Sequence, residues 1–280
     1  MKLVKTPLRY PGGKSRAVKQ LYDWFPSDVH EYREPFIGGA SMALYFSQLD
    51  PDVPVWVNDK YTYLYNFWVQ LQERGHELSD ACHKVKTDHP DEDTARELFD
   101  KTKKDIEHAE PFDQAVLFWV LNKCSYSGLT ENSSFSPAAS RQNFTLRGAD
   151  KLKKYPDIIK NWRITNDDYE VVMSDAGGDN VFCFLDPPYK IKSFLYGTKA
   201  DLHKNFDHPT FKDICSVCPH KWLLTYNVDP EIEEAFSLYN QRYFRLTYGM
   251  QHRASNVKDE LLISNYEINP ANPLEKVLYA

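Results

Sequence analysis

The chain has 280 residues, 42% of them hydrophobic and 26% charged, with a formal net charge of −6. This length and composition predict a folded protein with one domain of moderate size carrying a smaller one. No run approaches the roughly 18 apolar residues of a membrane-spanning helix, and the first residues lack the apolar segment of a signal peptide, so we expect a cytoplasmic protein. The net charge argues mildly against a polyanionic partner, although such binding depends on where the cations lie.

The cations are unevenly distributed along the chain. Six lysines and arginines precede the first acidic residue, Asp23, and a second basic stretch extends from Arg141 to Arg163. Each stretch is consistent either with a solvated helix face or with a surface that binds a polyanion.

The cysteine pattern bounds metal binding and compartment. Five cysteines, an odd number without a disulfide-like spacing, indicate free thiols in a reducing compartment. Cys215 and Cys218 form a C-x-x-C pair with His220 close by. Structural zinc takes four ligands, and no second C-x-x-C or H-x-x-x-H completes the set, so we predict no metal.

The first motif in chain order is RYPGGKS at residues 9–15, which ends like a phosphate-binding loop. That loop needs a glycine where this chain has Leu8, and no strand precedes the motif, so the pattern does not predict an NTPase. What remains is a glycine turn that presents Tyr10 and Lys14 near the sheet, suited to a ligand with a carboxylate and a flat ring.

The second motif is EPFIGGAS at residues 34–41, which closes an extended stretch and opens a helical run from Ala40 to Leu49. A strand predicted at Val53–Val57 ends at Asn58-Asp59, 21 residues after Gly38. An acidic residue at about this distance from a glycine turn accepts hydrogen bonds from ribose hydroxyls in adenosine-containing cofactors. A plain tight turn followed by a surface aspartate explains the pattern equally well.

The middle of the chain changes to helical periodicity. Helices are predicted at Tyr61–Arg74, Asp93–Glu107 and Asp113–Lys123, followed by a polar loop from Cys124 to Thr145. Strand patterns resume after this segment, which indicates an α/β sheet domain split by a helical insertion. The later strands are predicted at Val181–Leu185, Lys221–Tyr226, Tyr243–Tyr248 and Glu260–Tyr266, the last two joined by a loop from Gly249 to Asp259.

The most specific motif is DPPY at residues 186–189, directly after the buried-strand pattern VFCFL. The two prolines lack N–H donors and fix the backbone, so the segment offers rigid carbonyl acceptors beside a carboxylate and an aromatic ring. Asp186 and the Pro187 carbonyl can each accept one N–H group of a planar amine. These two hydrogen bonds free the nitrogen lone pair for attack. This chemistry allows adenine, cytosine or a glutamine side chain, and a structural proline turn is the alternative.

Five motifs in matching order resemble the Dam-like family of S-adenosyl-L-methionine-dependent DNA adenine-N6 methyltransferases: RYPGGK, EPFIGGAS, Asn58-Asp59, DPPY and ELLISNY at 260–266. The resemblance covers nearly the whole chain. It implies an α/β fold with a Rossmann-like methyltransferase sheet, helices on both faces, and a helical DNA-recognition insertion. The implied catalytic domain comprises residues 1–60 and 162–280, and the recognition domain residues 61–161.

The resemblance also implies roles for individual residues, with S-adenosyl-L-methionine as cofactor. The catalytic residues are Asp186, Pro187, Pro188 and Tyr189, and Asp186 also borders the cofactor. An acidic–aromatic pair against the cofactor adenine is carried over to Asp168 and Tyr169, with Asp167 an equal candidate for the acid. The cofactor-binding set is Tyr10, Gly12, Gly13, Lys14, Pro35, Phe36, Gly38, Gly39, Ala40, Ser41, Asp59, Asp168, Tyr169 and Asp186.

Double-stranded DNA is the implied partner, read by a segment that corresponds to residues 121–132. Many relatives have Asn-Arg where this chain has Asn122-Lys123, and arginine in place of Glu131. Arginine commonly reads guanine, whereas glutamate can only accept a hydrogen bond, so the recognition sequence stays open. The predicted DNA-contacting residues, with the last two on phosphates, are Arg9, Asn122, Lys123, Ser127, Leu129, Thr130, Glu131, Asn132, Arg141 and Arg147.

We therefore expect a site-specific adenine-N6 methyltransferase that acts on a flipped base by direct displacement, as a monomer or weak dimer. The alternatives are methylation of cytosine N4, methylation of a protein glutamine, and a catalytically silent DNA-binding module. The silent module would have no need of Asp186.

Overall fold

A computed structural model of the chain describes residues 3–189, 206–247 and 257–268. Its centre is a seven-stranded sheet in the order β3-β2-β1-β4-β5-β7-β6. The first five strands of this order run parallel, and β7 is antiparallel to both β5 and β6. The strands are β1 Glu31–Glu34, β2 Val55–Asn58, β3 Trp162–Thr165, β4 Val181–Leu185, β5 Lys221–Asn227, β6 Asn240–Thr247 and β7 Val257–Ser264.

Helices cover both faces of the sheet, as predicted for a Rossmann-like methyltransferase sheet. Strand β4 shows why: Phe182 and Phe184 pack into one core, and Cys183 and Leu185 pack into a second core on the opposite face. A parallel strand buried on both faces has this continuous apolar composition. The helices are α1 Val18–Tyr22, α2 Ser41–Leu49, α3 Thr62–Asp88, α4 Glu92–Asp105, α5 Pro111–Cys124, α6 Pro137–Asn143, α7 Leu146–Asp150, α8 Pro156–Ile159, α9 Tyr169–Ser174, α10 His208–Val217 and α11 Pro230–Ala235.

All regular elements described between β2 and β3 are helical, which agrees with the predicted insertion. The insertion packs directly on the sheet, since Leu64, Phe67 and Trp68 of α3 belong to the same core as Phe182 of β4. The Trp68 indole N–H also donates to the Gly38 carbonyl at 3.2 Å. A separate domain at residues 61–161 stays a prediction.

Several predicted boundaries were wrong. The strand expected from Val53 begins at Val55, because Pro54 has no N–H to donate to the ladder. The helix expected to end at Arg74 continues to Asp88, with non-helical backbone at Arg74 itself (φ −133°, ψ 30°). Strand β3 was missed.

Three further differences concern one loop and the last two strands, the first being that β6 begins at Asn240 and not at the predicted Tyr243. The polar loop after Cys124 contains two 3₁₀ turns, Tyr126–Gly128 and Thr130–Asn132, as well as α6. Strand β7 extends from Val257 to Ser264, so it takes in part of the loop predicted to reach Asp259. Tyr248 and residues 249–256 of that loop lie outside the described residues. None of the helices in the described ranges is long and apolar enough to cross a bilayer.

Candidate active site

The site lies where the order of the parallel strands reverses, between β1 and β4. Chain connections from β1 and β4 leave in opposite directions at such a point, which opens a crevice at the carboxyl ends of the two strands. EPFIGGAS follows β1, and DPPY follows β4. The two motifs therefore meet at the place where open α/β sheets bind ligands.

The turn after β1 has a backbone that few residues tolerate. Gly38 has φ +48°, and Ala40, directly before α2, has φ +54°. A Cβ on Gly38 would lie 2.8 Å from the ring of Tyr10, closer than real contacts allow. The N-terminal motif is therefore packed against this turn, which brings together two segments that the sequence predicts to share a site.

Asp59 lies at the end of β2 beside the same turn. Its carboxylate accepts the Gly38 N–H at 2.9 Å and the Tyr61 N–H at 3.0 Å, one on each oxygen. Burial raises the pKa of Asp59 to about 6, while these two backbone bonds lower it. Each oxygen keeps a second lone pair, so the carboxylate can still accept a ribose hydroxyl.

Asn58 connects the neighbouring segments. Its side-chain N–H groups donate to the Pro35 carbonyl and to the Asp167 carbonyl, each at 3.1 Å. Its side-chain oxygen accepts the Asp167 N–H at 2.8 Å. The turn after β1 and the segment after β3 are thus held at a fixed distance from each other.

The predicted acidic–aromatic pair lies in that second segment. The Tyr169 ring packs on Phe36, with ring centroids 5.2 Å apart, and so joins the turn after β1. Asp168 caps α9 by accepting the Glu170 N–H, and its side chain is 51% exposed beside Lys60. The structure therefore brings Tyr169 to the predicted cofactor site, with Asp168 at its solvent edge.

The centre of the site is a contact between the first and third motifs. Lys14 Nζ lies 2.8 Å from Asp186 Oδ1 and 3.0 Å from Oδ2, and it donates to the Tyr189 hydroxyl at 2.6 Å. Lys14 is only 3% exposed, so it is a buried cation whose charge Asp186 balances. Thr225 of β5 donates its hydroxyl to Asp186 Oδ1 at 2.9 Å.

Sequence reasoning missed two members of this cluster, Thr225 and Glu260. Glu260 of β7 is 2% exposed and accepts the Tyr189 hydroxyl at 3.1 Å. Burial raises the pKa of Glu260 to about 7, opposed by the nearby Lys14 charge. A glutamate at the start of the apolar run LLI was the available signal, because a charged residue is rarely buried without a partner.

A second buried carboxyl group lies at the end of β1. Glu34 accepts the Tyr32 hydroxyl at 2.9 Å, and burial raises the pKa of Glu34 to about 8. Folded Glu34 is therefore protonated at neutral pH, whereas the unfolded chain ionises it near its ordinary value of 4.5.

As the pH rises from the unfolded-state pKa of Glu34 to its folded-state pKa, the unfolded chain has lost the Glu34 proton while the folded chain keeps it. Glu34 therefore lowers the free energy of unfolding by about 1.4 kcal/mol for each unit of pH increase in this range. Glu34→Gln cannot ionise, so we expect its free energy of unfolding relative to wild type to increase steadily from pH 5 to pH 8. Urea unfolding at several pH values measures this difference. A constant difference across the range would contradict a raised Glu34 pKa.

Two residues predicted to contact DNA are corrected. Asn122 is fully buried, and its side chain accepts the Arg9 N–H at 3.0 Å and donates to the Arg9 carbonyl at 2.7 Å. Lys123 is 7% exposed and donates to the Pro7 carbonyl. Both side chains hold the N-terminal segment that carries Lys14, and we no longer assign them to DNA. Arg9 also bonds inward, to the Ser125 carbonyl at 2.8 Å.

Thr130, at 6% exposure, is as buried as Lys123, and the remaining predicted DNA-contacting residues lie at or near the surface. Ser127 and Thr130 have φ of +52° and +53°, a conformation that is uncommon for any residue other than glycine and rarer still for a β-branched one such as threonine. Glu131 accepts the Tyr61 hydroxyl, and the neighbouring Asn132 also donates to it at 3.2 Å. Leu129 is half-buried, Arg141 pairs with Glu92, and Arg147 is exposed.

No group of three or more histidine, cysteine or acidic side chains in the described ranges is arranged to hold a metal ion. The C-x-x-C region bonds to protein atoms instead. Cys218 Sγ lies 3.3 Å from the Met173 carbonyl, and His220 Nε2 lies 2.7 Å from the Asp175 carbonyl.

The fold is that of an α/β enzyme in which the glycine turn after β1 and the Asp186 carboxylate after β4 meet at the switch point of the sheet. The family model of the D12 class N6 adenine-specific DNA methyltransferases matches residues 10–254, and the chain belongs to this family. It is therefore a DNA methyltransferase specific for adenine.

Two methyltransferases with established names are similar to the chain. The type II methyltransferase M.MjaIII of Methanocaldococcus jannaschii is 28% identical over 224 residues, which cover 71% of this chain and 75% of that protein. The type II methyltransferase M.CviBI of Paramecium bursaria Chlorella virus NC1A is 24% identical over 276 residues, which cover 94% of this chain and 100% of that protein.

Proposed function

We propose that the chain transfers the methyl group of S-adenosyl-L-methionine to N6 of an adenine that is flipped out of duplex DNA. Asp186 engages the amine of that base. The single observation that carries the proposal is the position of Asp186, at the end of β4 beside the glycine turn and in contact with Lys14 and Thr225. The rigid Pro187-Pro188 segment fixes this carboxylate relative to the turn.

The residues present fit the proposed cofactor. Gly38 lets the turn pack closely on the Tyr10 ring, and Asp59 beside it offers free lone pairs to ribose hydroxyls. Phe36 and Tyr169 form an aromatic surface beside the turn, suited to an adenine ring. The cofactor supplies a sulfonium methyl group that is already activated for displacement.

This chain's own residues position the amine and handle its proton. Asp186 accepts the hydrogen bonds of the amine and stabilises the positive charge that develops on nitrogen as the N–CH3 bond forms and the S–CH3 bond breaks. The proton that the methylated nitrogen then loses passes to Asp186 or to solvent. Tyr189 packs against Tyr226, with ring centroids 4.9 Å apart, and provides an aromatic wall for the flipped base. Holding the two reactants in line can account for about 7 to 11 kcal/mol of the barrier in well-aligned systems.

The proposed DNA-facing surface is the recognition loop, residues 125–132. Tyr126 in this loop is 63% exposed and presents an aromatic face on which a base can stack. Residues held at unfavourable φ values cluster at ligand-binding segments, and this loop has Ser127 and Thr130 in that state. Unstacking the target base costs a few kcal/mol, which contacts from this loop offset.

Both similar proteins are named type II methyltransferases. We propose on this basis that the chain methylates one short sequence as the modification half of a restriction–modification pair, acting on DNA in the cytoplasm. The monomer or weak dimer predicted from the sequence is consistent with this role.

The test is an incubation of the protein with labelled S-adenosyl-L-methionine and unmethylated DNA, followed by nucleoside analysis. We expect label in N6-methyladenine and none with Asp186→Ala. Label in N4-methylcytosine would favour the cytosine alternative. Unlabelled DNA with wild-type protein would contradict DNA methylation and leave the protein-glutamine alternative and the silent DNA-binding module.

Glu131 gives a separate prediction about specificity. Arginine at this position can donate to guanine, whereas glutamate only accepts, so Glu131→Arg should change or relax the methylated sequence. The change also removes the acceptor for the Tyr61 hydroxyl. Long-read sequencing of DNA from a host that expresses each variant measures the preference. Glu131→Gln, which retains an acceptor for Tyr61, is the control, and an unchanged pattern for Glu131→Arg would count against a reading role.

A further inference from the structure

Two carboxylates, the buried Glu260 and the half-buried Asp186, share one lysine in the active site. Lys14 Nζ lies 2.8 Å from Asp186 Oδ1 and 3.7 Å from Glu260 Oε2. The side chains of Lys14 and Glu260 are 2% and 3% exposed, so water screens neither of them effectively. In the described part of the site, one cation therefore faces two potential anions.

Hydrogen bonds from Lys14 and Thr225 already occupy lone pairs of the Asp186 carboxylate. The Lys14 ammonium has three N–H groups, and they are directed to the Gly12 carbonyl at 3.2 Å, to Asp186, and to the Tyr189 hydroxyl at 2.6 Å. Asp186 Oδ1 accepts Thr225 as well. An entering amine must therefore compete with Lys14 for the lone pairs of Asp186.

Glu260 is placed to resolve this competition. A displacement of Lys14 Nζ by about 1 Å toward Glu260 brings the pair within the 2.7–2.9 Å range of charge-assisted hydrogen bonds. Tyr189 already connects the two, because its hydroxyl accepts from Lys14 and donates to Glu260 at 3.1 Å. The movement keeps Lys14 paired throughout, which avoids the cost of a buried unpaired cation.

We infer that Glu260 is a positioning residue that takes over Lys14 from Asp186 when the target amine binds, and so frees the Asp186 lone pairs for the amine. This inference rests on the proposed role of Asp186. It assigns to the acidic residue of ELLISNY a function in the catalytic cycle that is separate from the packing of β7.

The exchange should depend on pH. The titratable groups that face Glu260 are Lys14 on the N-terminal segment, together with Asp186 and Tyr189 after β4. On the flanking strands β5 and β6, its ladder partners are Asn227 and Phe244, which do not titrate in this range. Only ionised Glu260 attracts Lys14 strongly, and burial raises the pKa of Glu260 to about 7. Below that pH, Lys14 stays on Asp186.

The test compares wild type with Glu260→Gln, in which the amide oxygen can still accept the Tyr189 hydroxyl. For wild type, we expect kcat/KM for DNA to rise about tenfold per pH unit below about pH 7 and then to level off. For Glu260→Gln, we expect kcat to fall about 10- to 100-fold, and we expect kcat/KM to lack this rise below about pH 7, the acid limb of the profile. The Kd for S-adenosyl-L-methionine, measured by calorimetry, should stay within about threefold of the wild-type value. Glu73→Gln, the same change at an exposed position on α3, should retain the acid limb.

The outcomes separate this inference from the proposed function. A wild-type protein that does not methylate DNA would refute the proposed function itself. A Glu260→Gln variant with wild-type kcat and pH profile, or one whose loss of activity follows a loss of cofactor binding, would refute the exchange alone. If Glu260→Gln does not fold, Glu260→Asp is used. Its shorter carboxylate should retain the acid limb with a lower kcat, and a wild-type kcat would again refute the exchange.

Discussion

Replacing Asp186 with asparagine is expected to lower kcat for DNA methylation by about 1000-fold, the upper range for losing one preorganised electrostatic contact. Asparagine has nearly the same size, but its amide nitrogen donates and cannot accept from the target amine. It also removes the negative charge that stabilises the developing charge on nitrogen. Single-turnover rates with saturating DNA and cofactor measure this loss free of effects on binding.

Loss of activity should occur without loss of fold. Lys14 keeps Glu260 as an anionic partner at 3.7 Å, so Asp186→Asn does not leave the buried lysine without a counter-charge. Circular dichroism and urea unfolding check this point. Asp100→Asn on α4, an exposed position, should behave as wild type. If Asp186→Asn retains more than about a tenth of the wild-type rate, the fall in rate is too small for the loss of an oriented electrostatic contact. The acceptor role would then belong to another group.

The parts of the site that sequence predicts are those encoded by local patterns. Strand β4 was predicted at its observed bounds because five apolar residues precede a polar, proline-rich turn. The distance from Gly38 to Asp59 predicted a shared site, and the structure joins them by a hydrogen bond of 2.9 Å. The first feature lies within one strand and the turn after it, and the second lies within the single unit formed by β1, its turn, α2 and β2.

The parts that sequence does not predict depend on contacts between distant segments. Lys14 and Asp186 are 172 positions apart, and nothing local to either motif indicates that they pair. Asn122 and Lys123 were assigned to DNA because polar residues in a recognition segment are expected at the surface. They are buried because the backbone of the N-terminal segment, which lies against α5, needs hydrogen-bond partners there.

Gly128→Ala is expected to lower stability strongly, because Gly128 lies at the contact between the N-terminal segment and the recognition loop. Gly128 has φ +77°, and a Cβ at this position would lie 2.5 Å from the Arg9 carbonyl oxygen and 3.0 Å from the Arg9 carbonyl carbon. These are backbone atoms, so no side-chain rotation relieves the clash. For Gly128→Ala we expect the free energy of unfolding to fall by about 2 to 5 kcal/mol, from the unfavourable backbone conformation and the overpacking together.

Gly128→Ala should also impair catalysis, because displacing Arg9 disturbs the segment that carries Lys14 to Asp186. Urea unfolding gives the change in stability, and methylation rates at a temperature where the variant is folded give the change in activity. Gly178→Ala is the matched control, because a Cβ there meets no atom within 4 Å. Equal unfolding midpoints for the two variants would show that the loop separates from the N-terminal segment at little free-energy cost, and would contradict a stabilising contact between Gly128 and Arg9.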